Sequence, residues 1–348
     1  MLYNEVEKSM LLAAISGRYD LAGYEFTPIQ EHEGGRNKIY ILHNKELKDV
    51  VLRISNLGDR TKEDYLAELE FVQFLHKNGA SVANVIESNH HNLLEQFDIC
   101  SNTFTVCMFE RAKGMLLAEN NYRYREGVSL HEYFFNCGKV LGKIHRISSD
   151  YTPIHQRYSF FDRFNEEYLN QLIPDEHALL KLKFNETIQE LRYIDQNRTS
   201  YGMIHFDFGD SNYSIDFETG NITVYDFDNC CMGFYMYDLA DVWTHGVGWI
   251  QFEPNARKRR DFMEEYFHYV LEGYRSENNL DETLLQKLPL FINVTILENI
   301  VDEIETMLRE GQKIEWDEEL IYLEKCILDD IPYRGFFNEI YFTEHPFE

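Results

Sequence analysis

Positive charge is scarce in this chain. Lysine and arginine together number 33 against 60 aspartates and glutamates, for a net charge of -27. Nucleic acid and anionic membrane surfaces both need a basic face, so neither is expected as a partner. Cysteine is also sparse. The six residues, at 100, 107, 137, 230, 231 and 326, form no Cys-x-x-Cys pair, and several fall in apolar strand or helix patterns. Reduced core thiols in a cytoplasmic protein are the expectation. No apolar run approaches the length of a membrane span. The opening Met1-Leu2-Tyr3-Asn4-Glu5-Val6-Glu7 has no basic stretch followed by an apolar one, so no secretory leader is expected. Zinc spacings such as His-Glu-x-x-His are missing, and His90-His91 reads as a solvated turn. Internal repeats, low-complexity segments and Pro/Ser-rich linkers are missing too.

What is present is a chemical constellation. Met203 to Asn212 reads as a strand end followed by His205-x-Asp207 and then Asn212, and Val224-Tyr225-Asp226-Phe227-Asp228 reads as a strand ending in acid. Phosphoryl transfer from ATP needs such a set. One carboxylate orients the attacking hydroxyl and accepts its proton, while an amide oxygen and another carboxylate hold the magnesium that neutralises the phosphates. Asp207 takes the catalytic role here, and Asn212 and Asp226 the metal roles. At about one in twenty per fixed position, His-x-Asp with Asn five residues on should match by chance about 0.04 times in a chain this long. Tyr213–Asp216 and Ile222–Tyr225 read as two strands around the turn Glu218-Thr219-Gly220-Asn221.

These residues carry a family resemblance. His205-x-Asp207-x-x-x-x-Asn212, then Asp226-Phe227-Asp228, then Gly233 with Asp238-Leu239-Ala240, resemble the aminoglycoside phosphotransferase and choline kinase-like enzymes, small-molecule relatives of the protein kinases. The signature lies within residues 203 to 240, and the resemblance extends over most of the chain. It implies an α+β, bilobal protein-kinase-like fold, with a small antiparallel-sheet N-terminal lobe (1–111) and a larger, mainly helical C-terminal lobe (112–348). It implies ATP and Mg2+ as cofactors and a small-molecule hydroxyl as acceptor. Aminoglycoside, amino alcohol, homoserine and sugar types all stay open, as does the oligomeric state.

The resemblance also assigns the flanks. Gly34-Gly35-Arg36-Asn37, between two strands, resembles the nucleotide-covering loop, where missing side chains let backbone amides approach phosphate. Arg53, on the strand Val50–Ile54, takes the slot of the phosphate-clamping cation; a guanidinium can grip phosphate bidentately. The amphipathic helix Thr61 to Lys77 opens with Thr61-x-x-Asp64, akin to a capping box. It offers Glu68 and Glu70 as partners for Arg53, and the family pattern points to Glu68. Glu110 to Gly114 resembles the hinge, where backbone groups read the adenine edge. Asp228 stands where protein kinases carry Gly, and could reach a metal water or the substrate. Asp238 is expected to brace the catalytic loop, and His205 to pack beneath it. Asp241, Trp243, His245, Glu298, Asp302, Glu303 and Glu305 could line the acceptor site.

Further strands are expected over Val82–Glu87, Leu93–Cys100 and Thr103–Phe109. Helices are expected over Ser129–Ile147, 176–195, 258–276, 281–309 and 317–328, with an aromatic loop over Tyr158–Phe164. A protein Ser/Thr kinase is a rival reading, weakened because no activation segment ending in Ala-Pro-Glu is present. A nucleotide-binding pseudokinase acting as a binding module is the other.

Overall fold

The computed structural model describes residues 5–29, 37–56, 58, 60–250 and 253–329. Its first part is a six-stranded antiparallel sheet: β1 (Glu25–Pro28), β2 (Asn37–His43), β3 (Val50–Ser55), β4 (Val85–Ile86), β5 (Glu95–Ile99) and β6 (Asn102–Glu110). The order is β1-β2-β3-β6-β4, with β5 also pairing β6. Strand side chains alternate between faces. Leu52 and Ile54 of β3 therefore face one way and pack with Leu11 and Ile15 of α1 (Glu5–Ser16). Arg53 faces the other way, opposite Cys107 of β6.

α2 (Lys62–Lys77) crosses that second face. Thr61 caps it: the hydroxyl accepts from Asp64 N–H at 3.2 Å while Asp64 accepts from Thr61 N–H at 2.9 Å. Its buried Tyr65, Leu69, Phe71 and Val72 join the core of the second, helical part rather than the core beneath the sheet. α2 and the helical part thus share one apolar interior.

The second part holds α3 (Leu130–Ser148), α4 (Phe160–Arg163), α5 (Glu166–Leu172), α6 (Ala178–Arg192), α7 (Tyr235–Val247), α8 (Ala256–Arg275), α9 (Glu282–Leu285), α10 (Leu288–Arg309) and α11 (Glu318–Leu328). Two small antiparallel ribbons are set among them: β7 (Tyr201–Ile204) with β10 (Cys231–Phe234), and β8 (Tyr213–Asp216) with β9 (Asn221–Val224). α3 and α8 approach so closely that a Cβ at Gly138 would lie 1.8 Å from the Val270 carbonyl oxygen. Between the parts, Gly114 combines φ of +101° with close approach. A Cβ there would sit 2.0 Å from the Ile215 carbonyl oxygen, so the chain can pass β8 only without a side chain.

Several expected elements differ in extent. The helix expected over 281–309 is two helices. Pro289 has no N–H, and its ring would clash with the carbonyl four residues back, at Leu285, where α9 ends. The strand expected over Val82–Glu87 shortens to Val85–Ile86, while Val82 makes a separate parallel bridge to Val224. The expected aromatic loop includes α4, and β10 and α5 were not anticipated.

Candidate active site

The site is assembled where β7 ends and the β8–β9 ribbon begins. Asp238, at 0% exposure near the start of α7, accepts from the backbone N–H of His205 and of Phe206, both at 2.9 Å. His145 of α3 lies 3.0 Å from the same carboxylate. This grip holds Phe206 at φ +70°, a left-handed conformation that a phenylalanine adopts only when its surroundings impose it. The Phe206 ring is stacked on Tyr237 at 4.4 Å. The bend turns Asp207 outward, into solvent, at the head of the loop. His205 is fully buried, 3.0 Å from the Tyr225 carbonyl, and packs on Phe227.

Asn212 donates its amide N–H to the Asp207 carbonyl at 2.9 Å, which leaves Oδ1 as the end that can meet a cation. Asp226 closes the β8–β9 ribbon at φ +60°, again left-handed, and its side chain is 46% exposed to the cleft. Arg53 NH1 lies 4.0 Å from Asp226 Oδ1. Arg53 itself is forked onto Glu68 through two bonds of 2.7 and 2.8 Å, with side-chain exposures of 4% and 1%. Glu70, the other glutamate available from sequence, instead meets His155, at 2.8 Å.

Carboxylate charge is in surplus here. The walls that crowd Asp226, with Asp228 and then Glu68 and Asp207 adding repulsion, outweigh Arg53 and push its carboxyl up to about 8. Asp207, although exposed at the head of the loop, is raised too, by the protein mass around it first and Asp228 next, against His205 and His245. Such mutual repulsion is what a divalent cation relieves. Among the described residues, no three His, Cys, Asp or Glu side chains can hold a metal unaided. The donor set fits a cation that takes its remaining ligands from bound phosphates.

Asp228 lies 8% exposed, with Arg60 NH1 at 3.2 Å and Asn37 Nδ2 donating to it at 3.1 Å. The amide oxygen of Asn37 accepts from Ser55. Glu110 ends β6, its N–H bonded to the Asn84 carbonyl at 2.8 Å. Gly34 and Gly35 lie outside the described residues.

On the side towards α10, Arg163 lies in an acidic wall, 3.7 Å from Glu298, 3.5 Å from Asp302 and 3.1 Å from Glu305. Burial pushes the Glu298 carboxyl up to about 8 despite Arg163, and Asp302, Asp207 and Asp241 add to the rise. Glu303 is raised by burial and then by Glu319 and Asp317, which places it against α11 rather than the cleft. Sequence reading missed Arg60, Arg157 and Arg163, because lone arginines in loops or a one-turn helix carry no periodic signal.

Glu298 gives a pH test. Its folded value of about 8 stands above the ordinary 4.5, so the folded state holds the proton more tightly than the unfolded chain. Stability then falls as pH rises from about 4.5 towards 8. Glu298→Gln removes this decline. Against wild type it gains on the order of 1–3 kcal/mol between pH 5 and pH 9, less than the full shift because the side chain, 16% exposed, still meets water. Urea midpoints across that range check it; parallel curves for the two proteins would refute it.

A family model described as the phosphotransferase enzyme family matches residues 28–276. The chain belongs to that family. This phosphotransferase is 23% identical over 291 residues to the amicoumacin kinase of Bacillus subtilis (strain 168), covering 82% of each. Among solved structures it resembles an amicoumacin kinase in complex with AMP-PNP, Ca2+ and Ami (TM-score 0.77, 21% identity, 96% of each chain). It also resembles a microcompartment-associated aminopropanol kinase (TM-score 0.66, 20% identity, 92% of this chain and 94% of that one). These likenesses establish the bilobal, protein-kinase-like α+β fold expected from the sequence. Among the described residues, no helix of the phosphotransferase is long and apolar enough to cross a membrane.

Proposed function

We propose that this phosphotransferase moves the γ-phosphoryl group of ATP, with Mg2+, to a hydroxyl of a small amine-bearing molecule in the cytoplasm. One observation carries the reading. The buried Arg53–Glu68 fork points at Asp226 in a cleft where Asp207, Asp226 and Asp228 crowd their charges. Arg53, fixed by Glu68, grips phosphate oxygens. Asp207 orients the acceptor hydroxyl and takes its proton, and Asn212 keeps the Asp207 loop in shape. Asn212 and Asp226 hold the metal, with Asp228 beside them. The metal, when bound, neutralises the phosphate charge. Gly34, Gly35 and Asn37 cover the phosphates, and Glu110 begins the segment that reads adenine, which sets the lobe boundary between residues 111 and 112. Most of the rate would come from positioning and charge neutralisation.

The amine rests on charge. Asp302, Asp241 and Asp207 crowd acid onto the acceptor side around Arg163, enough to help raise Glu298. The similar proteins are named for amicoumacin and aminopropanol.

The test is ADP release by the purified protein with Mg-ATP across aminoglycosides, amino alcohols, hydroxy amino acids and sugars. Each amine is paired with its neutral analogue, such as aminopropanol with propanediol. Amine acceptors should exceed their neutral partners by at least about tenfold in kcat/KM, near 1.4 kcal/mol. Equal rates would remove the amine. Mg-ATP binding without turnover on any acceptor would point to a nucleotide-binding module, and turnover only on a Ser/Thr protein to a protein kinase.

A further inference from the structure

α2 carries Glu68, and the loop after β9 carries Asp226. These two pieces must keep their spacing if the Arg53 fork is to face the metal side. One guanidinium spans them. Arg157, in the segment between α3 and α4, is 5% exposed. Its Nε donates to the Cys230 carbonyl at 2.7 Å, its NH1 to the Asp64 carbonyl in the first turn of α2 at 2.9 Å, and its NH2 to the Asp228 carbonyl. The carboxylate of Asp64 stands 3.9 Å away and the Tyr158 ring 4.8 Å below. A rigid planar fork suits three divergent carbonyls, and a lysine ammonium on its flexible stem does not.

The same short segment makes further ties. His155 meets Glu70 of α2 through its backbone N–H, at 3.2 Å, and its Nδ1, at 2.8 Å. The Tyr158 carbonyl accepts from Met232 N–H at 3.0 Å, and the Tyr158 hydroxyl donates to the Asn229 carbonyl at 3.3 Å. Tyr151 packs its ring on Phe71 and Phe74 of α2. Residues 151–158 therefore touch α2 at both ends of the Glu68 turn and the 228–232 loop from the other side. A buried arginine whose closest partners are backbone carbonyls is costly to desolvate, so it marks a place where geometry outweighs that cost.

We infer that Arg157 is a positioning residue that ties α2 to the 226–230 loop and so fixes the distance between the Arg53–Glu68 fork and Asp226. The inference rests on the reading of those residues as the phosphate and metal grip. It assigns to a fixed strut the spacing of helix and metal loop, in a chain whose sequence has no activation segment ending in Ala-Pro-Glu.

The test is titration calorimetry on the full chain with two probes. Adenosine lacks the phosphates and reports the adenine contact, whereas Mg-ATP reports that contact and the phosphate grip together. Arg157→Lys keeps the charge and loses the fork. It should raise the Kd of Mg-ATP at least about tenfold, near 1.4 kcal/mol, and leave that of adenosine within about twofold. Parallel weakening of both, or an unchanged Mg-ATP Kd, overturns the inference, since a general loss of packing would not separate them. Where Arg157→Lys does not fold, His155→Ala decides. That side chain is 33% exposed, and its removal takes away the Nδ1 tie to Glu70 while the backbone N–H tie stays. A rise of about threefold to fivefold for Mg-ATP alone supports the strut, and no change overturns it. A wild-type protein that binds adenosine but gains nothing from Mg-ATP would instead overturn the proposed function, and the strut with it.

Discussion

Asp207→Asn lowers kcat by about 10²–10⁴-fold, the range expected when a positioned general base is removed. It leaves the Kd for Mg-ATP within about threefold, well under 1 kcal/mol. The asparagine keeps the shape of the side chain. The backbone bend that aims it is set elsewhere, by Asp238 holding the N–H groups of His205 and Phe206. What changes is the chemistry of one atom, because an amide oxygen is a poor proton acceptor and its NH2 end repels a hydroxyl hydrogen. Replacing Asp207 also removes one of the charges that raise Asp226, so nucleotide binding has no reason to suffer on electrostatic grounds. ADP release at saturating Mg-ATP, read beside calorimetry on the same samples, separates the outcomes. Lost nucleotide affinity with an intact fold would mean that Asp207 belongs to the grip on the phosphates and not to the acceptor.

The elements that could be read from sequence are those whose signal is local. α2 begins at Thr61 with the Asp64 box because both partners lie within one turn. α3 follows its apolar repeat at Leu130, Phe134, Cys137, Leu141 and Ile144, and the β8–β9 ribbon is marked by two apolar runs around Gly220. β10 was not legible. Its four residues pair with β7, some thirty positions earlier, and a strand that short has its conformation decided by its partner rather than by its own propensity. The same holds within the site. In the sequence, Asp228 reads as able to reach a metal water or the substrate. The structure sets it between Arg60 and Asn37, from two separate N-terminal segments, and neither neighbour can be inferred from spacing. Arg157 is the extreme case, since its acceptors are backbone carbonyls that every residue possesses.

Glu68→Gln costs about 3–5 kcal/mol of stability, the penalty for leaving a buried charge without its partner. Arg53 has little else at hand to pair with. Its Nε already lacks a hydrogen-bond acceptor. Cys107 beside it cannot supply a compensating thiolate near neutrality, because burial pushes its thiol up to about 11. The remaining carboxylate within reach is Asp226, at 4.0 Å, and a guanidinium drawn towards it leaves the phosphate side. The variant should therefore also bind Mg-ATP at least about tenfold more weakly. Stability and binding can be separated by a second variant. Replacing both partners, Arg53→Met with Glu68→Leu, removes the stranded charge and fills the space with apolar side chains, a replacement that is often neutral for folding. Most of the lost stability should return, as read by the urea midpoint, while Mg-ATP affinity should not. Recovery of both would make the pair a structural ion pair with no part in binding. Recovery of neither would show that the fork holds α2 itself in place, and the weight of the site would then rest on that helix rather than on the charge it presents.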